Sequence, residues 1–500
     1  MVFRTRKGWA MQAESSWLSP CFVDHEINPG LLAEVLREYR AAKGLSQAAL
    51  AQLLTMDQSY VSKIETGHRQ VRDVDTLLHI ARQLSLTPQE LGLSAELVRP
   101  CPPREASVLS DEIDPVASSQ AEWRRVRRQL NRQRGGLARW AAELYRREFR
   151  VGDAPFLART AWMPPEPIRL DDVRLEWSSG AARVAVTGAE PEASAVLPLR
   201  APGRRFDRYT SAIKYLDRPS LFENRASYRL LDAELTPGAA RMTFGLGTYF
   251  DKLDVSEGLA HETAAARPCA DHTRSPRPEL PLRSLVGDPF DLGRRAVMPA
   301  IETLTLRRDR KTGAATFLLH WRDPAKVATA AGIYGLVPAG EFQPSSVAAW
   351  DTDNDFDLWH SMVREYSEEL LGEPERDGSS GEPLDYDTWP LFRDLDRARA
   401  DGRLGVYCLG LGLDALTLTA TLLTAVVIDD DVFDAQFGDA VRVNAEGVLV
   451  ASARASTVSE GVPFTGENVR RLVREEPMAS PGACLLARAW RFRTELLPGA

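Results

Sequence analysis

Arg364-Glu365-Tyr366-Ser367-Glu368-Glu369-Leu370-Leu371-Gly372 is the run whose residue types and spacing speak most directly of chemistry. On a helix, Glu365, Glu368 and Glu369 stand three and four residues apart and share one face. Three carboxylates converging there supply hard oxygen ligands for Mg²⁺ held against a diphosphate. Just upstream, the stretch DTDNDFD spaces Asp351, Asp353, Asp355 and Asp357 like the start of a calcium loop. It lacks the central glycine, and Met362 stands where the bidentate glutamate belongs. A solvated acidic loop, with Asp357 capping the next helix, is the simpler expectation.

The remaining reactive side chains form no recognisable site. LGLGLD at 409–414 has two glycines of a phosphate loop but not the third, so close packing of strand against helix is expected there. Asp430, Asp431 and Asp434 read as a surface turn. His261-Glu262 and Asp271-His272 are acid–histidine pairs without a third residue to orient them. The chain contains no G-x-S-x-G elbow, Walker loop or H-E-x-x-H motif, which leaves nucleophilic hydrolase chemistry without support.

The elements that must carry these residues begin with a run of short helices at 29–95. Leu32, Val35, Leu36 and Tyr39 lie at helical spacing, and Gly44 follows as a C-cap. Ser46 caps a second helix whose Ala49, Leu50 and Leu53 point inward, and a turn at Thr55–Asp57 leads into a third. That third helix, DQSYVSKIE, has Asp57 as its cap and Val61 and Ile64 as its core residues, and Gly67 ends it. Val74, Leu77, Leu78, Ala81 and Leu84 form another apolar stripe, followed by a capping box at Thr87-Pro88-Gln89-Glu90 that opens a fifth helix.

The sequence GLSQAALAQLLTMDQSYVSKIETG within this run resembles the lambda-repressor-like, or XRE, helix-turn-helix family. The resemblance covers about seventy residues. It implies an all-α bundle whose third helix lies in the major groove of double-stranded DNA. Gln58, Ser59, Tyr60, Ser62 and Lys63 then become candidate base readers, glutamine for adenine edges and Ser or Lys for bases and phosphates. Gln47, at the start of the second helix, is expected on a phosphate. His68, Arg69 and Arg72 would grip the backbone. Homodimers on two-fold operators are also implied.

The glutamate-rich run resembles the R-E-x-x-E-E core of the Nudix hydrolases, and TLTLRRDRKTGAATFLLHW with GLVPAGEFQP resembles the strands and turn before it. The implied fold for 297–500 is an α+β, Nudix-like domain, with Arg364 orienting the motif and Glu365, Glu368 and Glu369 holding Mg²⁺. The family places a glycine fourteen residues and a glutamate eight residues before the motif arginine, where this chain has Trp350 and Phe356. Gly340 is displaced by an apparent insertion, Asp355 and Asp357 flank the missing glutamate as substitutes, and Gly372 falls one place late. Such a site can bind a nucleotide-type ligand without cleaving it.

Composition sets the remaining bounds. The net charge of −8 excludes a chain that coats nucleic acid everywhere, so DNA contact must come from a local patch. Cys21, Cys101, Cys269, Cys408 and Cys484 are odd in number and far apart, which favours a reducing compartment and speaks against a disulfide framework or structural zinc. The first residues have no apolar run typical of a secretory signal. Leu404–Ile428 is apolar for about the length of a membrane helix, but buried strands and a short helix account for it better. A cytoplasmic location with no membrane partner is expected.

The expected multidomain order is a flexible arm at 1–28, the helical module at 29–95, a linker at 96–120, a basic helix plus α+β segment at 121–290, and the domain at 297–500. Across 122–150, ten arginines stand against three glutamates. They either add phosphate contacts or form a surface helix with Trp123, Val126 and Leu130 packed inward. The whole reads as a DNA-binding transcription regulator with a ligand-sensing or dimerising C-terminal half that requires no cofactor. The alternatives are a Mg²⁺-dependent nucleoside diphosphate hydrolase fused to a DNA-binding module, and a protein-interaction module.

Overall fold

Leu404–Asp414 and Ala420–Asp429 are near-continuous apolar runs, as expected of strands covered on both faces. In a computed structural model these two segments form an antiparallel hairpin at the centre of an eight-stranded sheet. The structure describes residues 31–54, 56, 58–67, 71, 73–91, 93, 114–180, 183–219, 222–267, 279–322, 333–376, 382–438, 447–450 and 461–498. The second hairpin strand runs parallel to Ala300–Arg308, and that strand pairs in turn with Ala315–Phe317 and Ala339–Glu341. The expected short helix within 404–428 is therefore absent: both halves are strand, because residues such as Val426 and Val427 are buried on opposite faces. Among the described residues no helix is long and apolar enough to cross a membrane.

The helices fall on either side of this sheet and into the N-terminal bundle. The bundle holds α1 (Leu31–Lys43), α2 (Gln47–Leu53), α3 (Gln58–Glu65) and α4 (Val74–Leu84). Gly44 and Gly67 take positive φ angles of 62° and 74° where α1 and α3 end, as their positions predicted. The expected fifth helix is a single 3₁₀ turn, Pro88–Leu91, and Glu90 accepts the Thr87 backbone N–H as a capping box requires.

The long helix α5 (Pro115–Glu143) begins inside the expected linker. Asp114 caps it by accepting the Val116 N–H, and Pro115 in the first turn is pre-set for helix, so residues 115–120 are helical. Then follow α6 (Tyr209–Leu216), α7 (Tyr249–Ala266), α8 (Pro281–Val286), α9 (Ala349–Asn354) and α10 (Leu358–Leu370). The last are α11 (Pro390–Ala400), α12 (Asp430–Phe437), α13 (Gly466–Arg474), α14 (Ser480–Arg491) and the single turn α15 (Arg493–Leu496).

The expected boundary between 121–290 and 297–500 is not a boundary in space. One continuous core joins Trp123 and Leu130 of α5, Leu253 and Leu259 of α7, Val363 of α10 and Val426 of the central strand. Moreover, Phe156–Leu157 and Ile168–Arg169 add to the edge of the main sheet beside Leu404–Asp414. The opposite face of that sheet packs on α13 and α14 through a second core containing Leu423, Leu472 and Leu485. The two expected domains thus form one α/β body because neither could bury its sheet face without the other.

Several polar expectations resolve within this body. Trp123, Val126 and Leu130 are buried, so α5 is a packed helix. The Arg127 and Arg134 guanidinium groups are spent on the buried Glu257 carboxylate. His261 is buried against Trp123 and the Tyr209 hydroxyl, and burial pulls its pKa down to about 3. Glu262 accepts the N–H groups of Leu282 and Arg283 at the start of α8, which makes the pair structural. Asp271-His272 lies outside the described residues. Asp430, Asp431 and Asp434 begin α12, where Asp434 pairs with Arg307 and Asp431 with Arg403. Asp357 caps α10 as expected. Asp351 and Asp355, by contrast, are fully buried, so the acidic stretch is not a solvated loop. Asp355 accepts the Ser345 N–H and the Tyr386 hydroxyl, and Asp351 accepts from Ser346.

Candidate functional site

In the bundle, α2 and α3 pack on each other around Leu50, Val61 and Ile64. This leaves Gln58 and Lys63 of α3 exposed, while Ser62 is half-buried and Tyr60 packs partly against the bundle core. Ser59 lies between Gln58 and Tyr60 on the same helix. Ser46 caps α2 by accepting the Ala49 N–H. Arg69, His68 and Arg72 lie outside the described residues. Gln47 is turned inward more than expected: its amide donates to Glu65 at 2.6 Å, leaving one N–H for a phosphate.

Glu65 is the positioning residue that sequence reasoning left as mere motif. Its carboxylate is buried, receives Arg40 of α1 at 2.7 Å and Gln47 of α2, and so ties both helices to α3. Its place in the I-E-T-G ending was the available signal. Glu65→Ala removes both charge-assisted bonds and is expected to cost about 1–3 kcal/mol. The cost stays in this range because Arg40 is partly exposed and can be rehydrated. Hydrogen exchange across 31–91 should quicken while the body remains protected; unchanged exchange would remove the clamp role.

The second site is a cavity of about 670 Å³ between α5, α7, α10 and the main sheet. Glu365, Glu368 and Glu369 all line it, together with Glu302, Glu341 and His320. Arg364 does not join them; it is buried, and its guanidinium donates to the Gln343 carbonyl at 2.7 Å. The three glutamates share the cavity but not one point. Among the described residues no three His, Cys, Asp or Glu side chains gather closely enough to hold a metal ion. Glu369 instead accepts the Ala339 N–H at 3.1 Å, and Glu365 lies against Gly340. A Cβ at Gly340 would fall 1.9 Å from the Glu365 carboxylate, so any larger residue there would push that side chain aside.

Burial pushes the Glu368 pKa up to about 9, helped by the neighbouring carboxylates of Glu365 and Glu375. Glu375 in turn forms a bidentate pair with Arg225, and Glu341 pairs with Lys252. Burial raises the Glu341 pKa as well, against the pull of that lysine. Asp355 and Asp357, the expected substitutes for a missing glutamate, are committed elsewhere by their own hydrogen bonds. Glu302 and Glu341, from the neighbouring strands Ala300–Arg308 and Ala339–Glu341, were missed because strand pairing, not helical spacing, brings them in.

Bundle and cavity meet at residues 222–226. Phe222, Glu223 and Arg225 line the cavity. Asn224 accepts the Val74 N–H at 2.8 Å through its carbonyl, while its own N–H donates to Asp73 at 3.3 Å. Its side-chain oxygen accepts the Phe250 N–H at the start of α7, at 2.9 Å. Ala226 and Leu246 then extend the bundle's own hydrophobic core into the body. Alternate residues of one short segment thus touch the two sites.

Residues 31–92 match the family model described as a helix-turn-helix domain. No curated protein matches the chain. A crystal structure of the restriction-modification controller protein C.AhdI from Aeromonas hydrophila is similar to it at 43% sequence identity, over 13% of this chain and 94% of that one, with a TM-score of 0.12. The family match at 31–92 falls on the bundle built around α2 and α3, with Gln58 and Lys63 at its surface. Residues 31–92 of this chain therefore form a helix-turn-helix domain.

Proposed function

We propose that the protein is a sequence-specific transcription regulator whose α/β body senses a nucleotide-type ligand. The carrying observation is the 222–226 segment, which contacts α4 through Asn224 and the cavity through Arg225. A ligand that competes for Arg225 against Glu375 changes the setting of Asn224, and with it the seat of the helix-turn-helix domain. This shifts DNA affinity only if the ligand binds the two settings unequally. Gln58, Ser59, Ser62 and Lys63 read the operator, and Tyr60, Gln47 and Arg69 support it. Operators of this kind are two-fold, so a homodimer is the expected reader.

The test is enrichment of genomic DNA fragments by the full chain, then titration of the best fragment with and without magnesium ADP. A change in affinity of about threefold or more is expected, with the change lost in Asn224→Ala. Absence of any enriched fragment would end the regulator reading. An affinity indifferent to magnesium ADP would count against sensing of this ligand class.

A second reading is favoured by the cavity carboxylates. The glutamate-rich run resembles the Nudix motif, and Gly340 lies against Glu365 of the motif helix even though an apparent ten-residue insertion displaces it from the family spacing. Hard oxygen donors at Glu365 and Glu368 suit Mg²⁺, and burial, helped by the neighbouring carboxylates, leaves Glu368 holding a proton that a cation would displace. When bound, Mg²⁺ would neutralise diphosphate charge. Glu365 and Glu368 would hold it, and Glu369 is already spent in part on the Ala339 N–H.

A further inference from the structure

Eight residues of α5 between 131 and 139 line the cavity, and four of the exposed ones fall on one stripe. Arg132, Gly135, Gly136 and Arg139 stand at helical spacings of three, four and seven, and all four are exposed. Four other arginines of this helix are spent: Arg124 on the Leu216 carbonyl, Arg125 on Glu122, Arg127 on Asp217, Arg134 on Glu257, while Arg128 is exposed and does not line the cavity. Among the described residues, Arg132 and Arg139 have no ion-pair or hydrogen-bond partner. Between them a Cβ on Gly135 or Gly136 would meet nothing within 4 Å, so neither glycine is needed for packing. Paired glycines inside a helix lower its stability, and here they bare the backbone toward the cavity.

We propose that this stripe is the anion-binding end of the cavity, and that the ligand is a phosphorylated molecule lying along it toward Glu365 and Glu368. Two guanidinium forks two helical turns apart, roughly 10 Å along the axis, span a diphosphate and draw both ends of it into bidentate contacts. The carboxylates on the opposite wall repel such an anion unless a divalent cation lies between them. The ligand is thus taken with its metal, phosphate toward α5 and cation toward α10. The bare glycine backbone lets the ligand body approach the helix more closely than any side chain would permit. The inference rests on the reading of the cavity as a ligand site, and it assigns the recognition to a helix outside the glutamate-rich motif.

The experiment is calorimetric titration of the full chain with magnesium ADP, adenosine and Mg²⁺ alone. Because Arg132 and Arg139 are exposed, Arg132→Ala/Arg139→Ala should fold normally and weaken magnesium ADP binding about 100-fold, leaving Mg²⁺ binding unchanged. Gly135→Ala/Gly136→Ala should raise the melting temperature and still weaken magnesium ADP, since the added methyls enter the ligand's space. Equal affinity of either variant and wild type for magnesium ADP overturns the assignment, as does adenosine binding as tightly as ADP. Failure of the wild type to bind ADP overturns it too, while operator binding from the first experiment would still stand. Arginine-dependent ADP binding with no effect on DNA affinity supports the anion site and refutes sensing alone.

Discussion

Gln58→Ala/Lys63→Ala is expected to abolish selective DNA binding, lowering affinity for the enriched fragment by about 2–4 kcal/mol, or roughly 30- to 1000-fold. The magnitude follows from the two side chains' separate roles. A glutamine presented to the groove makes a bidentate contact to one base, and its loss relaxes the preference at that position. A lysine on a phosphate contributes evenly across sequences, and its loss also lowers the salt dependence by about one unit of slope. Both are exposed on α3, whereas Val61 and Ile64, which hold the helix, are buried. Thermal stability should therefore be unchanged, which separates a reading defect from an unfolded domain. Tyr60 is a poorer probe, because its ring packs partly on the bundle core. Titration by fluorescence anisotropy at several salt concentrations decides the matter. Wild-type affinity in the double variant would assign α3 to protein contact instead.

The second large effect is expected at Glu368. Its folded pKa of about 9, raised by burial and by Glu365 and Glu375, lies well above the ordinary carboxylate value of 4.5. The folded state therefore holds a proton that the unfolded chain has released. The contribution to stability is complete below pH 4.5 and is lost as the pH climbs to about 9, in total on the order of a few kcal/mol. Asp351, raised to about 6 by burial, acts in the same direction but is half titrated at that pH and finishes roughly a unit higher. Above it the difference between wild type and Glu368→Gln isolates the one carboxyl. Chemical denaturation should show a falling stability from about pH 6 to 9 in the wild type and a flatter one in the variant. Mg²⁺ should restore wild-type stability most at the alkaline end, because it takes the deprotonated form and displaces the proton. The variant should lose that response and keep its DNA affinity. Should the chain hydrolyse nucleoside diphosphate derivatives, Glu368→Gln should abolish turnover as well. Parallel pH profiles in the two proteins would show that Glu368 titrates as an ordinary carboxylate despite its burial.

The sequence by itself determined the local features of this protein. Helix ends at Gly44 and Gly67, the Ser46 cap, the Asp357 cap and most inward residues of α1 to α4 follow from interactions within a few residues; on α2, however, the expected Leu53 is exposed and Leu54 is buried instead. For the same reason the helix-turn-helix domain was legible: its pattern of caps, turn and apolar spacing is complete within about seventy residues. The Glu365–Glu369 spacing likewise fixed which side chains reach the cavity from α10.

Only the tertiary structure decided what those side chains meet. Gln47 is tied to Glu65, Asp355 is buried under Tyr386, and Glu369 is turned to Ala339, each by a partner far away in sequence or on another element. The merging of 121–290 with 297–500 has the same origin, since the edge strand Phe156–Leu157 pairs with Leu413 and Asp414 across more than half the chain. Residues 222–226 illustrate the limit best: nothing in FENRA announces that alternate positions will face a DNA-binding bundle and an acidic cavity. Periodicity reports which residues are apolar and how they are spaced, whereas the partner of a polar group is chosen by long-range strand pairing and packing.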